Sequence, residues 1–494
     1  MRVSQNQQML MGEVDVSNIT FNPRSRDDMP KILRGLQHLY IHQTLRESIF
    51  ALLEKNIQPN IDKDNGRPGM TLWRILVCGV VRLDLNCDYD HLLELVNEHR
   101  TLREMLGHGP FDEHIYRLQT LKDNVRLLTP ELLDQINQLV VASGHVLAKK
   151  KADQNLRGRC DSFVLETNVH FPTDLNLLMD AMRKTVTLTV RLCEAQDIPG
   201  WRQHAHILNK IKRYARTAQN KKRSKAKTPE LAEKNQQALV LAHQDYLQAA
   251  QSALDKARAS LAKVNPTDPS IILAKQEIEV FMAHADRQID QVHRRVVLGQ
   301  TILHAEKVFS IFQPHTEWIS KGKAGVPVEL GLKVCILEDQ YQFILHHQVM
   351  EHLSDDQVAV EMVTQAKKRF PSLAVCSFDK GFHSKANQEA LKEQLELVVL
   401  PRKGKLSRQA KEIESAPGFV RARRAHSAVE SAINGLEVHG LDVCLDHGIV
   451  GFKRYVAWAV LARNVHRIGA ILWQQDVIQA QRLAKAGAGQ RRTP

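Results

Sequence analysis

One short stretch governs how the rest of the chain is interpreted: Arg-Cys-Asp-Ser-Phe-Val-Leu-Glu-Thr-Asn-Val-His at residues 159–170. Its β-branched and aromatic residues predict a buried strand, with Asp161 at its start and a polar cluster at its end. A carboxylate in such surroundings needs a partner. Two later acids are candidates: Asp379, which ends a second apolar run, and Glu430, which lies in a helix-like stretch.

These acids lead to the hypothesis that Asp161, Asp379 and Glu430 converge on divalent metal and act on nucleic-acid phosphates. Mg²⁺ and Mn²⁺ prefer oxygen ligands, and two ions roughly 3.5–4 Å apart can hold the attacking and leaving oxygens of a phosphodiester. Taken alone, each acid is more often a solvated or salt-bridged carboxylate than a ligand. Asp174 is the alternative to Asp161, and Glu437 is the alternative to Glu430.

Size and composition set the frame for this hypothesis. A chain of 494 residues predicts two or three domains, and its net charge of +13 favours a polyanionic partner, with a solubilising surface charge as the alternative. The 7 cysteines show neither CxxC pairs nor metal-ligand spacing, which is typical of a reduced cytoplasm. No apolar run reaches the length needed to span a bilayer, so we expect a cytoplasmic protein.

Residues 1–150 are predicted to form a helical N-terminal domain. Apolar residues recur at helical spacing from residue 29 to 56, Thr71 is a candidate N-cap, and Thr129 followed by Pro130 marks another helix start. Short helices joined by tight turns are compatible with a helix-turn-helix DNA reader or with generic helical packing. We therefore expect this domain to bind DNA or to mediate dimerisation.

A long helical segment, residues 173–306, is predicted to interrupt the strands. Residues 201–227 hold ten Lys or Arg and no acid. This density suits a helix that follows DNA phosphates, although a solvated helical face is the alternative. Apolar residues at heptad spacing from 240 to 264, followed by a second helix, predict an antiparallel hairpin that clamps DNA, mediates dimerisation or acts as a spacer. The proposed DNA contacts are Lys221, Lys222, Arg223 and Lys225.

Strand patterns return after this segment and alternate with helices. Asp379 lies at the carboxyl end of its strand, where sites of open α/β folds are found, and Asp161 joins it there if its own strand begins earlier. The order of elements describes an α/β ribonuclease H-like catalytic core with an all-α N-terminal domain and a large coiled-coil-like helical insertion after the first core strand. The predicted strands are 308–312, 328–336, 342–345, 373–378 and 397–400, the helices are 356–370 and 386–395, the core comprises 151–172 and 307–474, and a flexible tail covers 475–494.

Several basic residues near these acids are predicted to position DNA phosphates, with plain surface charge as the alternative. Three- and four-residue spacing places Arg423, His426, Glu430 and Glu437 on one face of a closing helix. Trp318 is expected to stack on an unpaired base or to pack. The predicted contacts in this group are His315, Lys321, Lys323, Lys380, Arg402, Lys403, Arg423 and His426.

Several linked motifs also resemble bacterial insertion-sequence DDE transposases of the ISNCY group. The resemblance covers most of the chain, including Gly-Arg-Pro-Gly-Met at residues 66–70. Two positions depart from it, Phe163 in place of a small polar residue and Lys380 in place of Arg, and the basic helical insertion is less easily matched. The motifs are Asp161 with Glu-Thr-Asn-Val-His-Phe-Pro-Thr-Asp at 166–174, Phe-Gln-Pro-His-Thr-Glu-Trp-Ile-Ser-Lys-Gly-Lys at 312–323, Asp-Lys-Gly-Phe at 379–382 and His-Ser-Ala-Val-Glu at 426–430.

The resemblance implies a ribonuclease H-like core, Mg²⁺ dependence with Mn²⁺ as a substitute, binding to terminal inverted repeats and target DNA, and Asp161, Asp379 and Glu430 as the catalytic triad. We expect a transposase that cuts at the element ends and joins the freed 3′-hydroxyl to target DNA. It is expected to associate with the nucleoid as a homo-oligomer, with a dimer as the favoured state. The alternatives are a nuclease without strand transfer, a DNA-binding scaffold without catalysis, and a coiled-coil assembly protein.

Overall fold

The structure, a computed structural model, describes residues 3–5, 12–57, 69–222, 228–266, 268–320 and 327–490, with every side chain in those ranges except Lys222 and 483–490. It divides into two compact units, a first unit of residues 1–168 and 319–494 and a second unit of residues 169–318. Across the described ranges, no helix combines the length and the hydropathy that a membrane span requires.

The first unit begins with helices, as the apolar spacing predicted. The N-cap at Thr71 is confirmed, because its side chain accepts a hydrogen bond from the backbone N–H of Arg74. Thr129 caps a later helix in the same way through Leu132. The helices are α1 (Met29–Ile41), α2 (Gln43–Ile57), α3 (Leu72–Asp84), α4 (Tyr89–Glu98), α5 (Arg100–Met105), α6 (Leu118–Val125) and α7 (Pro130–Leu147).

Two of these helices, α3 and α4, were the candidates for a DNA reader. α3 is buried along nearly its whole length, which leaves no face to enter a groove. The exposed side of α4 carries Asp90, Glu94 and Glu98, whose charges repel phosphate. The burial and the charge of this pair favour generic helical packing over helix-turn-helix recognition.

The first strand, β1 (Leu156–Thr167), leads into the second unit, which is helical. Leu247 and Leu254, both at heptad positions, are buried in one cluster with Leu178, Met182 and Ile278. The third and fourth of the second unit's four helices were predicted to form an antiparallel hairpin, but they contact each other only weakly. The first helix packs mainly against the fourth, and the second packs mainly against the third. The helices are α8 (Asp174–Ala195), α9 (His204–Lys222), α10 (Pro229–Leu261) and α11 (Pro269–Val292).

The chain then returns to the first unit and alternates strands with helices. The last helix is the longest of the described elements, and a π-turn of residues 437–441 precedes it. The elements are β2 (Glu317–Ser320), β3 (Val328–Glu338), β4 (Ile344–Met350), α12 (Asp355–Arg369), β5 (Leu373–Phe378), α13 (Lys385–Gln394), β6 (Leu397–Val399), α14 (Arg408–Ser415), α15 (Pro417–His426), α16 (Ala428–Leu436), β7 (Val443–Cys444) and α17 (Gly448–Gln490).

The described strands form one mixed, 7-stranded sheet in which β1 is central. β4, β3 and β1 are successive antiparallel neighbours. β1, β5 and β6 continue the sheet as parallel neighbours, and the short β7 pairs in parallel with the end of β1. β1 and β5 therefore point in the same direction, and β5 ends beside Cys160 in the middle of β1.

The predicted boundary near residue 150 does not separate two units. α17 packs against α1, α3 and α7, and its side chains Tyr455, Trp458 and Val465 are buried. A polar contact ties the same helix to the sheet, since the Asn464 amide donates to Ile344 O at 3.0 Å and accepts from Ile344 N at 2.9 Å. The N-terminal helices and the sheet consequently share one core.

Three further predictions were wrong in detail. Residues 308–312 are irregular rather than a strand. Their apolar character serves the core of the second unit, in which Ile311 is buried. The closing helix is broken at Ser427, so the face predicted for Arg423, His426 and Glu430 is divided between α15 and α16. The segment predicted as a flexible tail from residue 475 is helical through Gln490.

Candidate active site

The register of the sheet sets Asp161 beside Asp379. β1 and β5 run parallel, and Cys160 is the register partner of Phe378. Each acid is the next residue in its chain, so the two carboxylates start from main-chain positions about 5 Å apart. β1 begins at Leu156, well before Asp161, as the meeting of the two acids requires.

The charges around Asp161 identify its neighbours. Asp161 is half-buried, whereas Asp379 and Glu430 are exposed. The pKa of Asp161 is raised to about 6, first by burial and also by the charges of Asp379, Asp355 and Glu430. The backbone N–H of Ser162 donates to Asp161 Oδ1 at 2.8 Å and opposes this rise. The carboxylates thus share one region of negative charge, which attracts a cation.

Glu430 reaches this region because the opposite side of its helix is packed. Val429, Ala432 and Leu436 are buried, and α16 lies against β1. Glu430 falls in the first turn of α16, where the helix dipole favours an anionic side chain. Its carboxylate therefore stays exposed near Asp161 while the helix is held in place.

His426 lies between the strand acids and Glu430. Its Nδ1 is hydrogen-bonded to Ser377 Oγ at 3.1 Å, which attaches the end of α15 to β5. Burial lowers the pKa of His426, while the nearby carboxylates of Asp379 and Glu430 act in the opposite direction. The neutral imidazole is therefore favoured at neutral pH, so that His426 positions α15 rather than supplying charge to DNA.

Asp355 is a fourth acid of this region, and the sequence pattern did not predict it. Its carboxylate accepts from Ser162 Oγ at 2.7 Å and pairs with Lys333 Nζ at 3.1 Å. A Cβ on Gly381 would come within 3.1 Å of Asp355 Oδ2, so the turn after Asp379 lies directly against this carboxylate. In the sequence its only signal is a helix start at Ser354, which by itself indicates capping.

The predicted basic contacts near Asp379 are only partly assembled. Lys380 follows Asp379 and is exposed. Lys403 Nζ donates to Gly381 O at 3.2 Å, which brings a second cation to the same turn. Both lysines therefore lie at the turn that follows Asp379.

Glu414 organises the other two basic residues of this region. The Arg423 guanidinium pairs with Glu414 at 3.6 Å, and the backbone N–H of Arg402 donates to Glu414 at 3.0 Å. Arg423 is half-exposed, so it can still reach a bound anion.

The remaining predicted contacts belong to the second unit or lie outside the described residues. Lys221 is exposed at the end of α9, and His315 lies after the last helix of the second unit. The side chain of Lys222 and the residues Arg223, Lys225, Lys321 and Lys323 lie outside the described part, as do residues 66–68 of the Gly-Arg-Pro motif.

The alternative acids take other positions. Asp174 pairs with Arg295 at 2.7 Å within the second unit, and Glu437 opens the π-turn beyond α16. Trp318 packs against Phe171 and Phe309, each with ring centroids 5.6 Å away, which favours packing over base stacking. Among the candidates, Asp161 and Glu430 are the ones brought to Asp379.

The donor set of this region fits a hard divalent cation. Carboxylate oxygens are the ligands that Mg²⁺ and Mn²⁺ prefer, and the raised pKa of Asp161 indicates negative charge that a cation would balance. The oxygens of Asp161, Asp379 and Glu430 do not all lie within 4.8 Å of one another; in the described ranges, that criterion is met by Asp84, His439 and His466.

No protein-family model, curated protein or solved structure matches this chain. The inference about function therefore rests on the residues and on their geometry.

Proposed function

We propose that the protein is a DDE transposase, which binds the terminal inverted repeats of an insertion sequence and catalyses metal-dependent cleavage and strand transfer. The observation that carries this proposal is the meeting of Asp161, Asp379 and Glu430, which come from β1, from the end of β5 and from α16. These acids, far apart in sequence, interact electrostatically where β5 ends beside the middle of β1, in a strongly basic chain.

The proposal includes a ribonuclease H-like fold for the sheet and its helices. It is supported by the order β4-β3-β1-β5-β6, in which an antiparallel triplet is continued by two parallel strands. It is also supported by the positions of the acids on the first strand, after a later strand and on a closing helix. The second unit is then an insertion between the first two long strands of the core.

The chemistry follows from the types of side chain. Bound Mg²⁺ or Mn²⁺ supplies activation of water or of a 3′-hydroxyl and stabilises the leaving oxygen. Asp161, Asp379 and Glu430 would hold the ions through their carboxylate oxygens. Lys380 and Lys403 would position the phosphate, since both flank the turn after Asp379.

The first test is cleavage and strand transfer on DNA that carries the native element ends, with Mg²⁺ or Mn²⁺. Wild type is compared with Asp161→Asn, Asp379→Asn and Glu430→Gln, which keep shape but remove charge. We expect each variant to bind DNA and to lose at least about 10³-fold in rate, on the order of 4 kcal/mol. Glu389→Gln, an exposed position on α13, is the matched control and should keep full activity.

Other outcomes select the alternatives. Cleavage without joining identifies a nuclease, and DNA binding without cleavage identifies a scaffold. Self-association without DNA affinity identifies an assembly protein. The transposase function further implies a homo-oligomer in the cytoplasm near the nucleoid, with a dimer as the favoured oligomeric state.

A further inference from the structure

A second group of metal-binding side chains lies in the first unit, apart from the acids of the proposed active site. Asp84 ends α3, His439 lies in the π-turn, and His466 lies on α17. Each contributes one ligand atom, and these atoms all lie within 4.8 Å of one another. We propose that Asp84, His439 and His466 form a structural site for a first-row transition-metal dication, with Zn²⁺ as the representative ion.

The distances fit a small coordination shell. His466 Nδ1 lies 3.0 Å from both carboxylate oxygens of Asp84, and His439 Nδ1 lies 3.8 Å from Asp84 Oδ1. Ligand atoms bound at about 2.0–2.1 Å around a tetrahedral ion are about 3.3–3.4 Å apart. The two measured separations therefore differ from this spacing by about half an ångström or less, and the two imidazole nitrogens lie within 4.8 Å of each other. The main-chain oxygen of Asp84 accepts a hydrogen bond from His439 Nδ1, and it would be a fourth ligand once that nitrogen loses its proton to bind the ion.

The backbone at His439 is shaped to bring its ring to Asp84. His439 departs from helical geometry with φ −95° and ψ 39°, and Gly440 follows with φ 101°. A Cβ on Gly440 would meet both Leu83 O and a Leu83 methyl carbon at 3.3 Å, so a glycine lets the turn close against the end of α3. Such π-turns occur often at functional sites.

Burial and charge favour a dication at this position. The Asp84 side chain is 0% exposed, and those of His439 and His466 are 15% and 10% exposed. A second acid, Asp28, lies within electrostatic reach of both imidazoles and adds negative charge, whereas Arg463, which interacts with Asp84, acts in the opposite direction. The limited exposure of His439 gives an ion one route of entry.

The ligand types separate this site from the proposed catalytic one. Two imidazole nitrogens and one carboxylate suit Zn²⁺, Co²⁺ or Ni²⁺, whereas Mg²⁺ prefers an all-oxygen shell. The ion would cross-link three segments that are distant in sequence and would hold the chain just after α16. The inference does not depend on the proposed transposase activity.

The test uses the full chain, stripped with chelator and then loaded with Co²⁺ or Zn²⁺. Wild type should bind one equivalent, give the visible ligand-field absorption of a low-coordinate Co²⁺ ion, and melt at a higher temperature with Zn²⁺. Excess Mg²⁺ should not displace the ion. His439→Ala should lose at least tenfold in Zn²⁺ affinity, whereas His91→Ala, which removes an exposed histidine on α4, should bind as wild type does.

Absence of the Co²⁺ absorption and of any Zn²⁺-induced shift in wild type would overturn the proposal and leave a hydrogen-bonded His-Asp-His group. Equal affinity of wild type and His439→Ala would do the same. Should His439→Ala fail to fold, X-ray absorption of Zn²⁺-loaded wild type decides, since two imidazole ligands are required.

Discussion

Asp355 accepts a hydrogen bond from Ser162 at 2.7 Å across a sequence separation of 193 residues. Ser162 is the neighbour of Asp161 in β1, and consecutive residues of a strand point to opposite faces of the sheet. Asp355 therefore supports the strand from the face opposite to the side chain of Asp161. The same carboxylate touches the turn after Asp379, so one acid braces the main chain beneath both strand acids.

The first prediction concerns this bracing. Asp355→Ala should destabilise the protein by about 1–3 kcal/mol, because Ser162 and Lys333 lose their partner. Cleavage should slow roughly tenfold, far less than for Asp161→Asn, with unchanged DNA affinity. Denaturant unfolding and single-turnover cleavage measure the two effects. Asp356→Ala, the next residue of α12, is the control. A loss as large as that of Asp161→Asn would instead make Asp355 a metal ligand.

The second prediction uses the raised pKa of Asp161, about 6 against an ordinary 3.8. A carboxyl whose folded pKa is raised stabilises the fold below its unfolded pKa, and this contribution is lost as pH rises through the folded pKa. In metal-free protein, Asp161→Asn should therefore raise the free energy of unfolding by on the order of 1–3 kcal/mol at pH 7.5 and by clearly less at pH 4.5. Denaturant unfolding in chelator at both pH values measures this difference.

The same variant also reports on the metal. Saturating Mg²⁺ should stabilise wild type by mass action and have little effect on Asp161→Asn, so that their order at pH 7.5 reverses. Glu389→Gln should follow wild type in both conditions. A gain for Asp161→Asn that is equal at the two pH values would argue against the raised pKa.

The third prediction concerns the basic residues between positions 221 and 225. Replacing Lys221, Lys222, Arg223 and Lys225 by Gln should weaken DNA binding and reduce the slope of log K against log salt by about 0.9 for each lost phosphate contact. Lys→Arg and Arg→Lys exchanges at the same positions keep the charge and should leave the slope unchanged. An unchanged slope in the Gln variant would show that these residues are solvated surface charges and do not contact DNA.

The fourth prediction concerns the core of the second unit. Leu254 is fully buried on α10, so Leu254→Ala should cost about 2–5 kcal/mol. Leu241, on the same helix but 60% exposed, is the matched control, and Leu241→Ala should change stability by at most about 0.5 kcal/mol. Hydrogen exchange should report lost protection in α8–α11 and not in β1 or β3, since the two units have separate buried clusters. Equal losses in both units would contradict that separation.

The sequence predicted the individual elements better than their assembly. Thr71 and Thr129 marked helix starts because capping is a local property, and the apolar runs at 328–336 and 397–400 marked strands. The strand predicted at 308–312 failed because Ile311 is apolar to fill a helical core, a tertiary reason that a short run cannot reveal.

The candidate site was likewise predictable only in part. Asp379 and Glu430 could be found because each follows or interrupts an apolar pattern. Asp355 could not, since an acid in the first turn of a helix is ordinary, and its contact with Ser162 comes from the pairing of distant segments. The Asp84, His439 and His466 group could not be predicted for the same reason, because its members lie on α3, in the π-turn and on α17.

The pairing of Glu166 with Gly331 has a consequence for the length of the segment between β1 and β3. The segment of residues 169–318 leaves the sheet at one strand end and returns beside it, where a hairpin turn of a few residues would also serve. Because loop closure depends only weakly on length, this position accepts a long interruption at small thermodynamic expense. The length of this segment thus has little effect on the free energy of pairing β1 with β3.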